Sequence, residues 1–312
     1  MVILSSSQNS RIHLLLVRMS FFIAGVSSLA MAQENRYPIL ENGRYGFIDS
    51  AGNIIVQPTL ERVPQFSEGL ALTEEDVFLL GPRWGFMDTS GHEVISHDYP
   101  KAGDFHCGRA WVLKHSFFLP FLSSDKYGYI GRAGHVVIDF KYDVAGDFAE
   151  GLANVSLEGR CGYLDTAGNV VIPLQYERAR AFSCGLAPVK QNGKWGYINS
   201  RGEERIPERF DDARSFFDGR ALVREDSVWR FITKDGANAF QLEFENALWY
   251  TEGLVAVKVG EFWGYADTAG TMVIKPRFAS AAPFFKGLAE VKTLYEHGYI
   301  NHDGNFIWRE QN

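Results

Sequence analysis

The chain has 312 residues, of which 46% are hydrophobic and 22% charged, with a formal net charge of −7. An acidic balance argues against nucleic-acid binding, which depends on neutralising phosphates. Three cysteines are too few for a disulfide scaffold, and their odd number leaves one unpaired.

The first 32 residues read as a secretory signal peptide rather than as part of the fold. Arg11 and Arg18 precede the apolar run Phe21 to Leu29, and Ala30-Met31-Ala32 is a small-x-small cleavage site. The run is short for a bilayer span, and no cysteine follows the cut to take a lipid. Removing residues 1–32 takes away two arginines and no acids, which moves the net charge from −7 to −9. The mature chain, 33–312, is expected to be periplasmic or secreted.

From there one phrase recurs to the end of the chain. An aromatic site at Tyr45, Trp84, Tyr127, Trp195, Trp229 and Trp263, replaced by Cys161 and His297 in two copies, is followed by glycine in seven of eight copies. The sixth has Arg230 instead. The first two intervals are 39 and 43 residues and the next five are all 34, a period that marks a repeat array. The eight copies are called units one to eight below.

Each unit carries short runs of alternating apolar residues, which predict strands. Between them stand Asp/Asn-x-x-Gly turns ending on Gly52, Gly91, Gly134, Gly168, Gly202, Gly236, Gly270 and Gly304. Each unit is therefore predicted to be a three-stranded antiparallel meander, the first opening at Tyr37 to Leu40 and the last closing at Phe306 to Trp308. A second ring (Phe47, Phe86, Tyr129, Tyr163, Tyr197, Phe231, Tyr265 and Tyr299) lies two residues after the aromatic site, on the same face. The glycine between them faces the other way and predicts a socket for a ring from a neighbouring strand or unit. Phe66, Phe105, Phe148, Phe182, Phe216, Tyr250 and Phe284, each three residues before a glycine, are expected to plug the seams between units.

The phrases "RWGFMDTSG", "KWGYINSRG" and "FWGYADTAG", with "FAEGLANV" and "FSEGLALT", resemble the WG-repeat (KWG-repeat) proteins of bacteria. The resemblance runs from about Tyr37 to Trp308. It implies an exported β-repeat protein used for binding or display, and it carries over no active site. The fold expected is all-β: eight tandem units in one domain over 33–312. An open curved array is favoured, because the 34-residue unit is short for a propeller blade and no unit is split to fasten a ring. A closed propeller-like ring is the alternative.

Residues common to every copy are explained by folding, so function is sought where copies differ. Units two and three carry hairpin insertions, at 74–82 and 114–125, before the aromatic-glycine phrase. They hold Phe78, Leu79 and Leu80, and Phe117, Phe118, Leu119, Phe121 and Leu122. Two apolar extensions side by side suit a contact surface, here for a protein partner or a cell-envelope ligand. A cap over the N-terminal end and contact with a membrane are the other roles such extensions could serve.

Other constellations are weaker. His92, His97, His106 and Cys107 fall within sixteen residues but match no compact metal motif, and read as surface side chains. Asp49, Asp88, Asp165 and Asp267 share one turn position and read as turn caps rather than as an acid/base pair. Arg44, Arg83, Lys126, Arg160 and Lys194 precede the aromatic site, as edge protection or as a ladder for an anionic polymer. No nucleophile elbow or phosphate loop is present, Cys161 reads as an inert thiol, and neither cofactor nor catalysis is expected. The expected function is non-enzymatic binding or scaffolding, with a glycan- or peptidoglycan-binding module using exposed aromatic rings as the alternative.

Overall fold

The computed structural model describes residues 37–48, 52–60, 65–117, 123–226, 228–239 and 244–310. The proposed signal peptide lies outside them. Among the described residues all regular structure is β, in eight small antiparallel sheets. No helix among the described residues is long and apolar enough to cross a membrane.

Unit five shows the pattern. Leu186–Gln191, Lys194–Asn199 and Glu204–Phe210 are the three predicted strands. The link from the preceding unit adds a short fourth, Arg178–Ala179, at the edge. The hairpin between the first two long strands turns on Asn192-Gly193, with both residues at positive φ as a tight hairpin requires. At the next turn Asn199 Oδ1 accepts the N–H groups of Arg201 and Glu203, both at 3.0 Å. After one further residue, the last strand runs on into Asp212–Ala213, which opens the sheet of unit six. Successive sheets are thus joined by a bent strand.

The glycine of the repeated phrase works differently from the socket expected. In unit five Trp195 pairs with Phe210 and Tyr197 with Ile206, so two steps on one strand face four on the other. The extra residues form a bulge holding Pro207, which has no N–H to offer a ladder. A methyl group on Gly196 would lie 2.6 Å from the Ile206 carbonyl oxygen and 2.8 Å from the Glu208 nitrogen. Gly46, Gly85, Gly128, Gly162 and Gly264 meet the carbonyls of Val56, Ile95, Ile138, Ile172 and Ile274 in the same way, at 2.5–2.6 Å. In these six units what approaches the glycine is the bulged backbone of its own unit, whereas Gly298 of unit eight meets both the Trp308 carbonyl and the Phe306 ring of the adjacent strand. A strand that crosses this closely leaves no room for a side chain.

The core lies in the seams. Second rings pack on the plug of the following unit, as predicted: Phe86 on Phe105, Tyr163 on Phe182, Tyr197 on Phe216 and Tyr265 on Phe284, with centroids 4.8–4.9 Å apart. The rings are buried, and their mutual tilt is the edge-to-face preference of aromatic quadrupoles. The tyrosine hydroxyls donate onward across the seam, Tyr163 to the Arg180 carbonyl at 2.8 Å and Tyr197 to the Arg214 carbonyl at 2.7 Å. One core cluster accordingly joins Tyr197 and Ile206 of unit five to Phe216, Val223 and Ile232 of unit six.

At both ends this seam geometry is left uncovered. The turn glycines Gly91, Gly134, Gly168, Gly202, Gly236 and Gly304 each abut Val56, Ile95, Ile138, Ile172, Ile206 or Ile274 of the unit before. Gly52 of unit one has open space there. In unit eight Trp308 stands where six of the other seven units have valine or isoleucine and unit six has Phe240, pairs with Tyr299, and is 50% exposed. Its ring lies 6.0 Å from that of Tyr299, where a following plug would otherwise pack. Among the described residues the array is open at these positions.

Candidate interaction site

The insertion of unit two lengthens a hairpin that every unit has. In unit five the strands pair one step beyond the aromatic site, from Lys190–Trp195 to Gln191–Lys194. In unit two they continue three steps, from Glu74–Trp84 to Val77–Gly81. Two more pairs raise the tip by about 7 Å at the rise of an antiparallel strand. The tip is Phe78-Leu79-Leu80, closed by the Leu80 N–H donating to the Val77 carbonyl at 2.9 Å. Phe78 and Leu79 are each 88% exposed and Leu80 is 59% exposed. Leu79 has φ +67°, a left-handed conformation more usual for glycine or asparagine.

The same hairpin of unit three is longer still. Arg109–Phe117 and Ser123–Gly131 pair from Arg109–Gly131 to Phe117–Ser123. Phe117 ends its strand, while Phe118, Leu119, Phe121 and Leu122 lie outside the described residues. The structure therefore places Phe78, Leu79 and Leu80 together on one tip.

The remaining candidates have local explanations. Asp88 Oδ1 accepts the N–H groups of Ser90 and His92, at 2.8 and 3.0 Å, and Asp165 and Asp267 do the same in their own turns. The Ser90 hydroxyl on Asp88 and the Asn169 amide on Asp165 lead the contacts that hold both carboxyls below the usual range. Asp49 lies outside the described residues. Arg83 and Arg160 donate to the carbonyls of Asp98 and Gln175, while Lys126 and Lys194 pair with Asp143 and Asp211. This row of cations is thus spent on the closing strand of each unit. His97 meets Thr73, Glu75 and Glu93, whereas His92 stays in its own turn. Among the described residues no three His, Cys, Asp or Glu side chains converge as metal ligands. Cys161 is half-buried, and burial pushes its thiol up.

An open groove of about 350 Å³ lies where unit six meets unit seven, lined by Phe217, Asp218, Tyr250, Thr251, Glu252 and Gly253. Units five and six also carry a group of arginines on Trp195 and Trp229 that the residue-by-residue reading missed. Arg180 lies 4.4 Å from the Trp195 ring centre, and Arg214 and Arg224 lie 5.3 and 5.8 Å from that of Trp229. Aligning the units on one another would have found it. The position held by Arg180 and Arg214 is Gly103, Gly146, Leu248 and Ala282 in units three, four, seven and eight.

Comparison with known proteins agrees with the repeat architecture. No curated protein matches the sequence. Solved structures similar to the chain include Kluyveromyces lactis Hsv2p, at 9% identity and TM-score 0.46 over 80% of this chain and 96% of that one. The dihydro-heme d1 dehydrogenase NirN is 11% identical, with TM-score 0.48 over 88% and 72% of the two chains. AztD from Citrobacter koseri is 10% identical, with TM-score 0.42 over 88% and 93%. Likenesses at this level carry no activity or ligand across. The family model "WG containing repeat" matches residues 45–76, 84–116, 127–161, 162–195, 195–229 and 263–293, well over half of the sequence. The chain belongs to the WG-containing repeat family.

Proposed function

We propose that this protein is a non-enzymatic, exported binding or scaffold protein that contacts a protein partner or envelope component through the hairpin tips of units two and three. On this reading residues 1–32 are removed on export and the mature chain is periplasmic or secreted. The observation that carries it is the run Phe78-Leu79-Leu80, held in water at the end of a lengthened hairpin. Burying each such side chain would be worth about 1.5–3 kcal/mol. The left-handed Leu79 adds a backbone cost of roughly 1 kcal/mol that Asn-Gly, as in unit five, avoids. A turn that forgoes both gains is best understood as one shaped for contact.

The glycan alternative has less support, since the second-ring column from Phe47 to Tyr265 is buried and Trp195 is covered by Arg180. A photo-crosslinking residue placed at Leu79, and separately at the exposed turn residue Arg201, tests the proposal in the envelope of the native host. One protein is expected to crosslink through position 79 and not 201. Excess wild-type protein should compete for it, and Phe78→Ser/Leu79→Asn/Leu80→Ser should not. Equal capture from both positions, or equal competition by the variant, would reject the tip as the binding edge.

A further inference from the structure

Units five and six carry an arginine at a place where the backbone alone is needed. The N–H of Gly103, Gly146, Arg180, Arg214 and Ala282 donates to the neighbouring strand, at Trp111, Asn154, Pro188, Leu222 and Glu290 respectively. The side chain is thus free to differ between units.

In unit five the arginine is fully employed. Arg180 stacks on Trp195, its Nη2 lies 3.0 Å from Asp212 Oδ1, and its Nη1 donates to the Ala213 carbonyl at 2.6 Å. It braces the seam to unit six. Arg214 repeats the stacking one unit later, on Trp229. The residues in the places of Asp212 and Ala213 are now Asn246 and Ala247, so the acid is gone. No hydrogen bond or ion pair engages the Arg214 guanidinium among the described residues.

A second guanidinium comes to the same ring. Arg224 is the cross-strand partner of Trp229, is exposed, and likewise has no ion pair among the described residues. Asp212, its partner on the other strand, is spent on Arg180, and Glu225 is shared by Arg209 and Arg230. Two guanidiniums therefore lie against one indole, with Asp212 and Glu225 already paired to other arginines. Burial first, offset by Asp212 and aggravated by the like charge of Arg180, lowers the pKa of Arg214. An added anion would relieve that cost.

We propose that Arg214 and Arg224, held on Trp229, form a binding site for a ligand bearing carboxylate or phosphate groups. A guanidinium presents its N–H donors in a planar fork that fits both oxyanions, and stacking on an indole leaves the edge of that fork available. The site is separate from the hairpin tip and stands whether or not the tip binds a partner.

Calorimetric titration of the full chain with inorganic pyrophosphate and with citrate at low salt tests this. Saturable binding of at least one is expected, and which one binds separates a phosphate ligand from a carboxylate ligand. Arg214→Gln/Arg224→Gln should weaken it by roughly tenfold or more, with Arg201→Gln staying within about twofold of wild type. Arg214→Lys/Arg224→Lys keeps the charge and loses the fork, and should still weaken binding about threefold or more. The lysine pair keeps the test decisive if the glutamine pair does not fold. Failure of the wild type to bind either probe would overturn the site. So would affinity unchanged in the folded double variants, or an equal loss in Arg201→Gln.

Discussion

Units five and six are adjacent and of equal length, yet they differ at the glycine of the repeated phrase. In unit five Glu204–Phe210 pairs along Lys194–Asn199, and its bulge passes directly over Gly196. In unit six the residue in that place is Arg230, and the described residues pair at Ile232–Asn238 and Trp229–Phe244. The outer register is the same in both units: six residues from Ile198 to Glu204 and from Ile232 to Asn238, and fifteen from Trp195 to Phe210 and from Trp229 to Phe244. What differs is the residue on the facing strand, Gly196 in unit five and Arg230 in unit six. In unit five the crossing requires a position without Cβ, and the glycine is a clearance for backbone.

The strongest way to break that comparison is to fill the clearance in unit five. Gly196→Val places its first carbon 2.6 Å from the Ile206 carbonyl, against backbone that has no rotamer to change. The expected loss is about 3–5 kcal/mol, in the range of severe overpacking with lost strand pairing. Urea denaturation would measure it, and hydrogen exchange should show the Ile206 to Phe210 amides losing protection first. A loss under about 1 kcal/mol would mean that the bulge can slide aside and that the glycine is not what positions it.

The seams offer a finer contrast. Tyr197 bonds to the Arg214 carbonyl at 2.7 Å across the seam from unit five to unit six. Phe231, its counterpart in unit six, has no hydroxyl to give. Tyr197→Phe removes that bond and leaves a carbonyl short of one donor, for a loss of about 1 kcal/mol by denaturant titration. Phe231→Leu, which keeps apolar volume but loses the edge-to-face contact with Tyr250, should cost a similar amount through packing alone.

Much of this was legible from residues alone, for a physical reason. Period-two rings and positive-φ turn glycines are local requirements of strands and turns, so the paired aromatic sites need no tertiary knowledge to be found: Trp195 and Tyr197 fall on one face by alternation. The plugs were legible because Phe182 and Phe216 recur at a fixed offset that only a repeated seam explains. The partner of Gly196 was not. An absent side chain announces a close approach without saying whether ring or backbone makes it, and the bulge at Pro207 that decides the matter is a property of the third strand. Arg214 was hidden for another reason. Its chemistry lies in the contrast between Asp212 and Asn246 one unit apart, which appears only once Arg180 is seen to be braced. The tip Phe78-Leu79-Leu80 was visible as an apolar insertion, whereas its exposure needed the hairpin to be built.

An earlier seam is braced by a carboxylate rather than a guanidinium, which allows the same comparison to be made with pH. Asp147 accepts the Trp111 Nε1–H at 2.8 Å, and burial raises its carboxyl above the usual range, against the opposing pull of His106 and of that hydrogen bond. A carboxyl whose pKa is higher folded than unfolded costs stability while ionised. The cost is full above its folded pKa, shrinks as pH falls through that value, and vanishes below the unfolded value near 3.8. Asp147→Asn keeps an acceptor for Trp111 and carries no charge. Its stability should exceed that of the wild type at neutral pH, and the gap should close on acidification. A gap that widens as pH falls would mean that the ionised carboxylate is the form the seam prefers.

The smallest effect is expected from the reverse substitution in unit six. Arg230→Gly removes an ion pair to Glu225 at 3.3 Å between side chains that are both more than a fifth exposed, and Glu225 keeps Arg209 at 3.5 Å. Screening holds such a pair to about 0–1 kcal/mol, and glycine in a strand adds roughly 0.5–1 kcal/mol of chain entropy. Both contributions are small, so the net change in denaturant midpoint should be slight. The informative signal is exchange at the Phe244 amide, which donates to the Trp229 carbonyl at 3.3 Å and should slow once the Cβ at position 230 is removed. If that amide exchanges as before, a glycine is necessary for the crossing but not sufficient. The bulge sequence around Pro207, for which unit six has no proline, would then be the second requirement.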